Sequence, residues 1–211
     1  PKPSSAASDV YKRQPDEDAH LIRAHLLSRG YLVLTNEEGH SSGGLGKKNL
    51  MDYIDAYGSI PFHPEQAVTR DGARSASAIL WGSHETFLET PATAAYFPLF
   101  YAPQAIGLLV GELAGMTIEA SYYLARYLTV SCCCALMFAA TSFYRPPHAV
   151  LAVLLLPMCG FLASCHPEGL ANGSVVLLVS FLMHRIAHPQ DNQVVTMAIC
   201  GAAACVITAY R

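Results

Sequence analysis

AVLAVLLLPMCGFLASC (149–165), HPEG (166–169) and LANGSVVLLVSFLMHRI (170–186) decide how this chain is read. Two apolar runs, 149–165 and 169–186, flank one polar turn. Each approaches the ~20 residues a helix needs to cross a bilayer. Both are slightly short, as in tightly packed multi-pass bundles. Two further runs carry the same signature. One is 120–143, interrupted by Arg126; the other is 194–211. The pattern predicts about four transmembrane helices and an all-α, polytopic membrane fold.

Working outward, the composition splits in two. The chain has 211 residues, 52% hydrophobic and 14% charged. Of its Asp, Glu, Lys and Arg residues, 21 fall in 1–93 and 8 in 94–211. A polar segment therefore precedes an apolar one. The net charge of −3 and the lack of a basic patch exclude a nucleic-acid footprint. Cys132, Cys133, Cys134, Cys159, Cys165, Cys200 and Cys205 lie in or beside apolar runs, without metal-ligand spacing. They read as small apolar fillers of helices.

Residues 1–14 (PKPSSAASDVYKRQ) hold no apolar core of a signal peptide. SSAASDVYKRQ resembles a translated adaptor-derived tail, so 1–14 is set aside as an artefact. The chain is expected to be an internal fragment of a longer protein.

PDEDAH (15–20) is a helix start. Proline is tolerated in the first turn, and acids there meet the positive end of the helix dipole. Leu21, Ile22, Leu26 and Leu27 make a stripe, and Gly30 is a stop. Residues 35–49 are expected to be a flexible loop, MDYIDAYGSI (51–60) a short helix, and 61–93 mostly irregular. Together 15–93 reads as a polar extracytoplasmic loop with short helices. Residues 94–118 are apolar but broken by Pro98 and Pro103. They are expected to lie along the interface or to dip in and return, and 119–211 to hold the spans.

Arg145 lies in the first connection and Arg185 in the third, whereas HPEG carries neither Lys nor Arg. The positive-inside rule then puts 142–148 and 184–193 in the cytoplasm and HPEG outside. The acidic start and HPEG share the outer face of the inner or plasma membrane if 94–118 does not cross.

Several side chains can carry chemistry. On a helix, Asp16 and Glu17 share a face with His20. Carboxylate plus imidazole can hold a divalent cation, or a carboxylate can take a proton from a hydroxyl. The bland alternative is capping, with His20 solvated. His166 and Glu168 sit at a membrane boundary, where ionisable groups are costly unless they work; an ordinary polar turn is the alternative. Arg126 either snorkels to the interface or faces the bundle and binds an anion such as phosphate. Tyr96, Tyr101, Tyr122, Tyr123 and Tyr127 read first as an aromatic belt and second as sugar-stacking residues. GHSSGGLGKK (39–48) lacks P-loop spacing.

Three blocks combine. PDEDAHLIRAHLLSRG (15–30), YFPLFYAPQAIGLLVGELAGMTIEASYYLARYLTV (96–130) and LLPMCGFLASCHPEGLANGSVVLLVSFLM (155–183) resemble, in order, segments of the bacterial membrane family called domain of unknown function 2142. His166-Pro167-Glu168 stands where that family has Ser-Pro-Asp, and Asp18 replaces a frequent proline.

That family is similar to GT-C glycosyltransferases, which move a sugar from a polyprenyl-phosphate carrier to an acceptor on the outer face. The resemblance implies a GT-C-like fragment acting on an envelope acceptor. It implies Asp16, Glu17, His20 and Glu168 as catalytic residues, and Arg126 and His166 at the carrier phosphate. A divalent cation, if one is used, would sit at Asp16, Glu17 and His20. Membrane lipid and the polyprenyl-phosphate sugar are the implied partners. Two other classes fit the same residues. One is a non-catalytic envelope-assembly scaffold, and the other a transporter with Arg126 and Glu168 lining its path.

Overall fold

The computed structural model describes residues 17–36, 39–58, 70–145 and 167–188, with 200, 201 and 203. Among them are six α-helices and a three-stranded antiparallel sheet. The expected spans at 149–165 and 194–211 lie wholly or almost wholly outside the described residues.

Helix α1 (Glu17–Ser28) carries Glu17 and Asp18 in its first turn. It stops where the sequence says it should. Gly30 adopts a φ of +95°, which a side chain resists. Tyr31 N then donates to Leu26 O at 3.0 Å and Gly30 N to Leu27 O at 2.9 Å. Those bonds close the last turn as a glycine-terminated helix requires.

The sheet follows, and it corrects the all-α expectation. Strands β1 (Thr35–Asn36), β2 (Ser42–Lys47) and β3 (Glu85–Glu89) pair in the order β1-β2-β3. The flexible loop expected at 35–49 is therefore two strands and a helix start. The irregular stretch expected at 61–93 holds α3 (Arg70–Ser77) and β3. The physical reason lies in the glycines. A Cβ at Gly43 would collide with the backbone of Leu88, and one at Gly46 with Leu88 and His25. Only a glycine-rich strand lets β3 and α1 approach this closely, so flexibility in sequence becomes fit in structure.

Helix α2 (Lys48–Gly58) follows β2 without a break, where a short helix was expected. The core joins α1, α2, β3 and later helices through Leu21, Leu26, Leu50, Leu88, Leu108 and Ile118. Arg29, Lys47, Glu85 and Glu112 add an ion network at the end of α1: Lys47 Nζ lies 3.4 Å from Glu85 and Arg29 3.6 Å from Glu112.

Residues 98–101 form a 3-10 turn that runs into α4 (Ala102–Leu113). Pro103 sits in the first turn of α4, where its missing N–H costs nothing. Gly115, at φ +67°, follows the last turn of α4 and ends it. Helix α5 (Ile118–Phe143) starts at Thr117, whose side chain accepts from Ala120 N at 3.2 Å. Gly107 of α4 lies against the backbone of Ala125, and Gly111 against Ser121. Small residues four apart on both helices let the backbones touch, a packing mode common inside membranes.

Helix α6 (Glu168–Ala187) packs on α5. Leu170 clusters with Cys133, while Phe143 meets Phe181 at 5.5 Å. Contact positions rise together, so the two helices run parallel. Both are long and apolar enough to cross a membrane. The expected spans 120–143 and 169–186 match them within two residues.

Candidate functional site

Glu17 and Asp18 do more than cap α1. Together with Tyr53 and Tyr57 of α2 and Glu119, Tyr122 and Tyr123 of α5, they line a cleft of about 280 Å³. Tyr122 donates its hydroxyl to the Glu17 carboxylate, joining the start of α1 to the start of α5. Partial burial, with the charges of Glu17 and Asp55 beside it, raises the Asp18 carboxyl above its ordinary value. Asp18 is exposed at its tip, so water screens much of that rise. Burial also raises Tyr53 and Tyr57, with Glu119 and Tyr123 adding to the effect. Those hydroxyls remain protonated donors at physiological pH.

Arg126 stands one turn beyond Tyr122. Its guanidinium carbon is 5.4 Å from the Tyr122 ring centre and 5.6 Å from that of Tyr123. Both rings present their faces to a cation. Arg126 forms no ion pair with a described residue. Glu17, Tyr122 and Arg126 thus form a short chain of contacts along one edge of α5.

The other expected residues are placed differently. His20 turns away from Glu17. It is buried, and its Nδ1 lies 2.6 Å from the Tyr101 hydroxyl, with the two rings stacked. It is thus neither solvated nor part of the acidic cleft. Tyr101 is fully buried beneath α1, so it is no part of an interfacial belt; Tyr123 and Tyr127 are the exposed tyrosines of α5. Glu168 opens α6 half-buried, in the turn that favours an acid. Its neighbours Leu170 and Ala171 pack at Cys133, two turns or ~10 Å along α5 from Arg126. Asp16 and His166 lie outside the described residues. Among the described residues no three His, Cys, Asp or Glu side chains gather as a metal ion needs.

Glu119, Tyr53 and Tyr57 are members that sequence reasoning missed. Spacing carried a signal for each. Tyr53 and Tyr57 are four apart on an expected helix, and Glu119 is three before Tyr122 and seven before Arg126.

The arrangement has definite chemical capacities. Carboxylates accept hydrogen bonds from hydroxyls and take up protons. Tyrosine hydroxyls donate, and their rings offer apolar faces. A polyol with a nearby anionic group matches that set of partners.

A family model described as "Predicted membrane protein (DUF2142)" matches residues 5–209. That range takes in most of the 1–14 stretch set aside above. No curated protein matches the chain, and no solved structure does.

Proposed function

The chain belongs to the DUF2142 family of predicted membrane proteins, and on that premise we propose that it carries the acidic site of a GT-C-like glycosyltransferase. The enzyme would move a sugar from a polyprenyl phosphate to an envelope acceptor. The observation that carries this reading is the tyrosine-walled cleft of Glu17, Asp18 and Glu119 beside Arg126, at the head of a span-length helix.

Charge at the helix ends supports an outward-facing cleft. The parallel packing of α5 and α6 puts Arg145, His184 and Arg185 at the end opposite Glu17, Asp18 and Glu119. By the positive-inside rule the basic end is cytoplasmic. Helix α4 has 12 residues, ~18 Å, well short of the ~30 Å of hydrocarbon. That length favours a segment 94–118 that dips in and returns. Two parallel spans also call for one return crossing between them, the role assigned to 149–165.

In the proposed reaction the acceptor hydroxyl oxygen attacks the anomeric carbon. Its proton passes to Glu17, with Asp16 beside it as partner or alternative base. The bond from the anomeric carbon to the carrier phosphate breaks, and the electron pair leaves with the phosphate. Arg126 stabilises that charge. Any cation draws on Asp16 as well as Glu17.

In the full-length protein, Glu17→Gln is expected to lower sugar transfer from a polyprenyl-phosphate donor by about 100-fold or more. Membrane insertion should be unchanged. Undiminished transfer in both Glu17→Gln and Asp16→Asn would sink the assignment. The Glu17–Tyr122 bond favours a second reading, a scaffold in which the pair only ties α1 to α5. In that case Tyr122→Phe lowers thermal stability and no transfer exists to lose.

A further inference from the structure

An apolar groove of about 760 Å³ runs between the end of α1, the loop after it and the outer face of residues 97–109. Leu32, Val33, Phe97, Leu99, Ile106 and Leu109 are among its walls, and Ser28 supplies the one polar side chain. Leu32, Val33, Leu99 and Ile106 are each more than half exposed. An apolar surface of this kind marks an interaction site.

Depth identifies what it meets. Phe100, next to Leu99, packs with Cys133, Leu136, Met137, Leu170 and Ala171. Helix α5 has 26 residues, and a crossing takes about 20. Every stretch of about 20 residues that fits inside Ile118–Phe143 contains Cys133. Wherever the bilayer sits on α5, the groove floor at Phe97–Leu99 is therefore level with hydrocarbon. A headgroup or a sugar would find almost no polar partner there, whereas lipid tails fill that layer.

We propose that the groove holds an acyl chain of a bilayer phospholipid, with Leu32 and Val33 as a lip seated in the outer leaflet. The α1–sheet unit is then anchored to the membrane by its own surface as well as by α5. This does not draw on the glycosyltransfer reading, and either can fail alone.

The test uses the full chain in phosphatidylglycerol nanodiscs whose acyl chains are brominated or not. Leu99→Trp and Val33→Trp each add a reporter, with Trp81, the single native tryptophan, as common background. Leu80→Trp, on an exposed residue beside the start of α5, is the control. Bromine in the tails is expected to quench the Leu99→Trp and Val33→Trp signals and to spare Leu80→Trp. Quenching of the first two by aqueous iodide instead would overturn the proposal. Should Leu99→Trp fail to fold, the surface variant Val33→Trp carries the same test. Mass spectrometry of the detergent-extracted protein adds a second readout. Wild type should retain a phospholipid that Ala102→Trp, which fills the groove, releases. Retention of a polyprenyl lipid, or a second copy of the chain on this face, would overturn the acyl assignment.

Discussion

Helices α1 and α6 invert the usual relation between sequence and burial. Helix α1 reads EDAHLIRAHLLS, half polar or charged, yet every residue from His20 to Leu26 is buried. Helix α6 is apolar along most of its length, yet only 22% of its most hydrophobic window is buried. Val179, Met183 and Ile186 stand exposed on it. In water this assignment would be upside down. It makes sense if the two helices have different solvents. Several polar groups of α1 find partners inside the protein: Arg23 donates to Tyr31 O at 2.9 Å and Leu32 O at 2.8 Å, and His25 accepts from Lys47 N at 3.1 Å, whereas Arg23 Nε and His25 Nδ1 meet none among the described residues. Lipid would give the exposed apolar face of α6 a partner that the described residues do not supply.

The comparison breaks most completely at the seam between the regions. Gly107 lets α4 lie against the backbone of α5. Gly107→Leu drives a side chain into backbone atoms that cannot step aside, at a cost of about 3 kcal/mol or more. Thermal unfolding of the detergent-solubilised protein should show a large loss of stability. A neutral result would mean that α4 and α5 do not hold the two regions together.

Val179→Lys tests the solvent of α6 directly. On a helix in water, an exposed Val→Lys change falls within about 0.5 kcal/mol of neutral. Near the middle of a span it costs about 3 kcal/mol of insertion free energy. Glycosylation mapping of membrane insertion measures the difference, and a negligible effect would return α6 to water.

His25 tests the opposite region, where water-facing chemistry is buried in protein. Burial, with Arg29 and Lys47 nearby, lowers its pKa from 6.5 to about 4. Its imidazole is thus neutral when folded, and between those values the unfolded chain binds more protons. Stability is fully present above pH 6.5 and is lost as pH falls toward 4. Between pH 7 and pH 4.5 the shift corresponds to a loss of roughly 2–3 kcal/mol. Denaturant midpoints at pH 7 and pH 4.5 should differ more for wild type than for His25→Gln, which can still accept from Lys47 N. Equal midpoint differences in the two proteins would place the acid sensitivity elsewhere.

How much of this is legible in the sequence follows the same division. The candidate spans α5 and α6 are readable because length and hydropathy, both local to each helix, are enough to mark them. The starting glutamate and stopping glycine of α1 are readable because capping is local. Strand β2 is not. SGGLGK has no alternating pattern, and its pairing partner ETFLE lies some forty residues away. What makes it a strand is the close approach of Leu88 and His25, which sequence spacing does not show. The candidate site is legible at Glu17 and Arg126, whose types are unusual where they occur. Glu119, Tyr53 and Tyr57 join them only through tertiary packing. His20 fails for the complementary reason. Helical spacing puts it near Glu17, but Tyr101, eighty-one residues on, holds it elsewhere.

The smallest effect sits at Thr117, at the head of the candidate span α5. Its side chain satisfies Ala120 N, one of the unpaired donors at the head of α5. If that turn stands in water, Thr117→Ala costs about 1 kcal/mol, because water takes over the lost bond. If it lies in hydrocarbon, nothing replaces the bond and the cost rises to several kcal/mol. Glu119 in the same turn, with Glu17 and Asp18 against it across the cleft, argues for water. The expected loss is therefore the smaller one, read as a shift in unfolding temperature. A loss of several kcal/mol would push the bilayer boundary above Glu119 and bury the acidic cleft in lipid, where a site for a sugar could not operate.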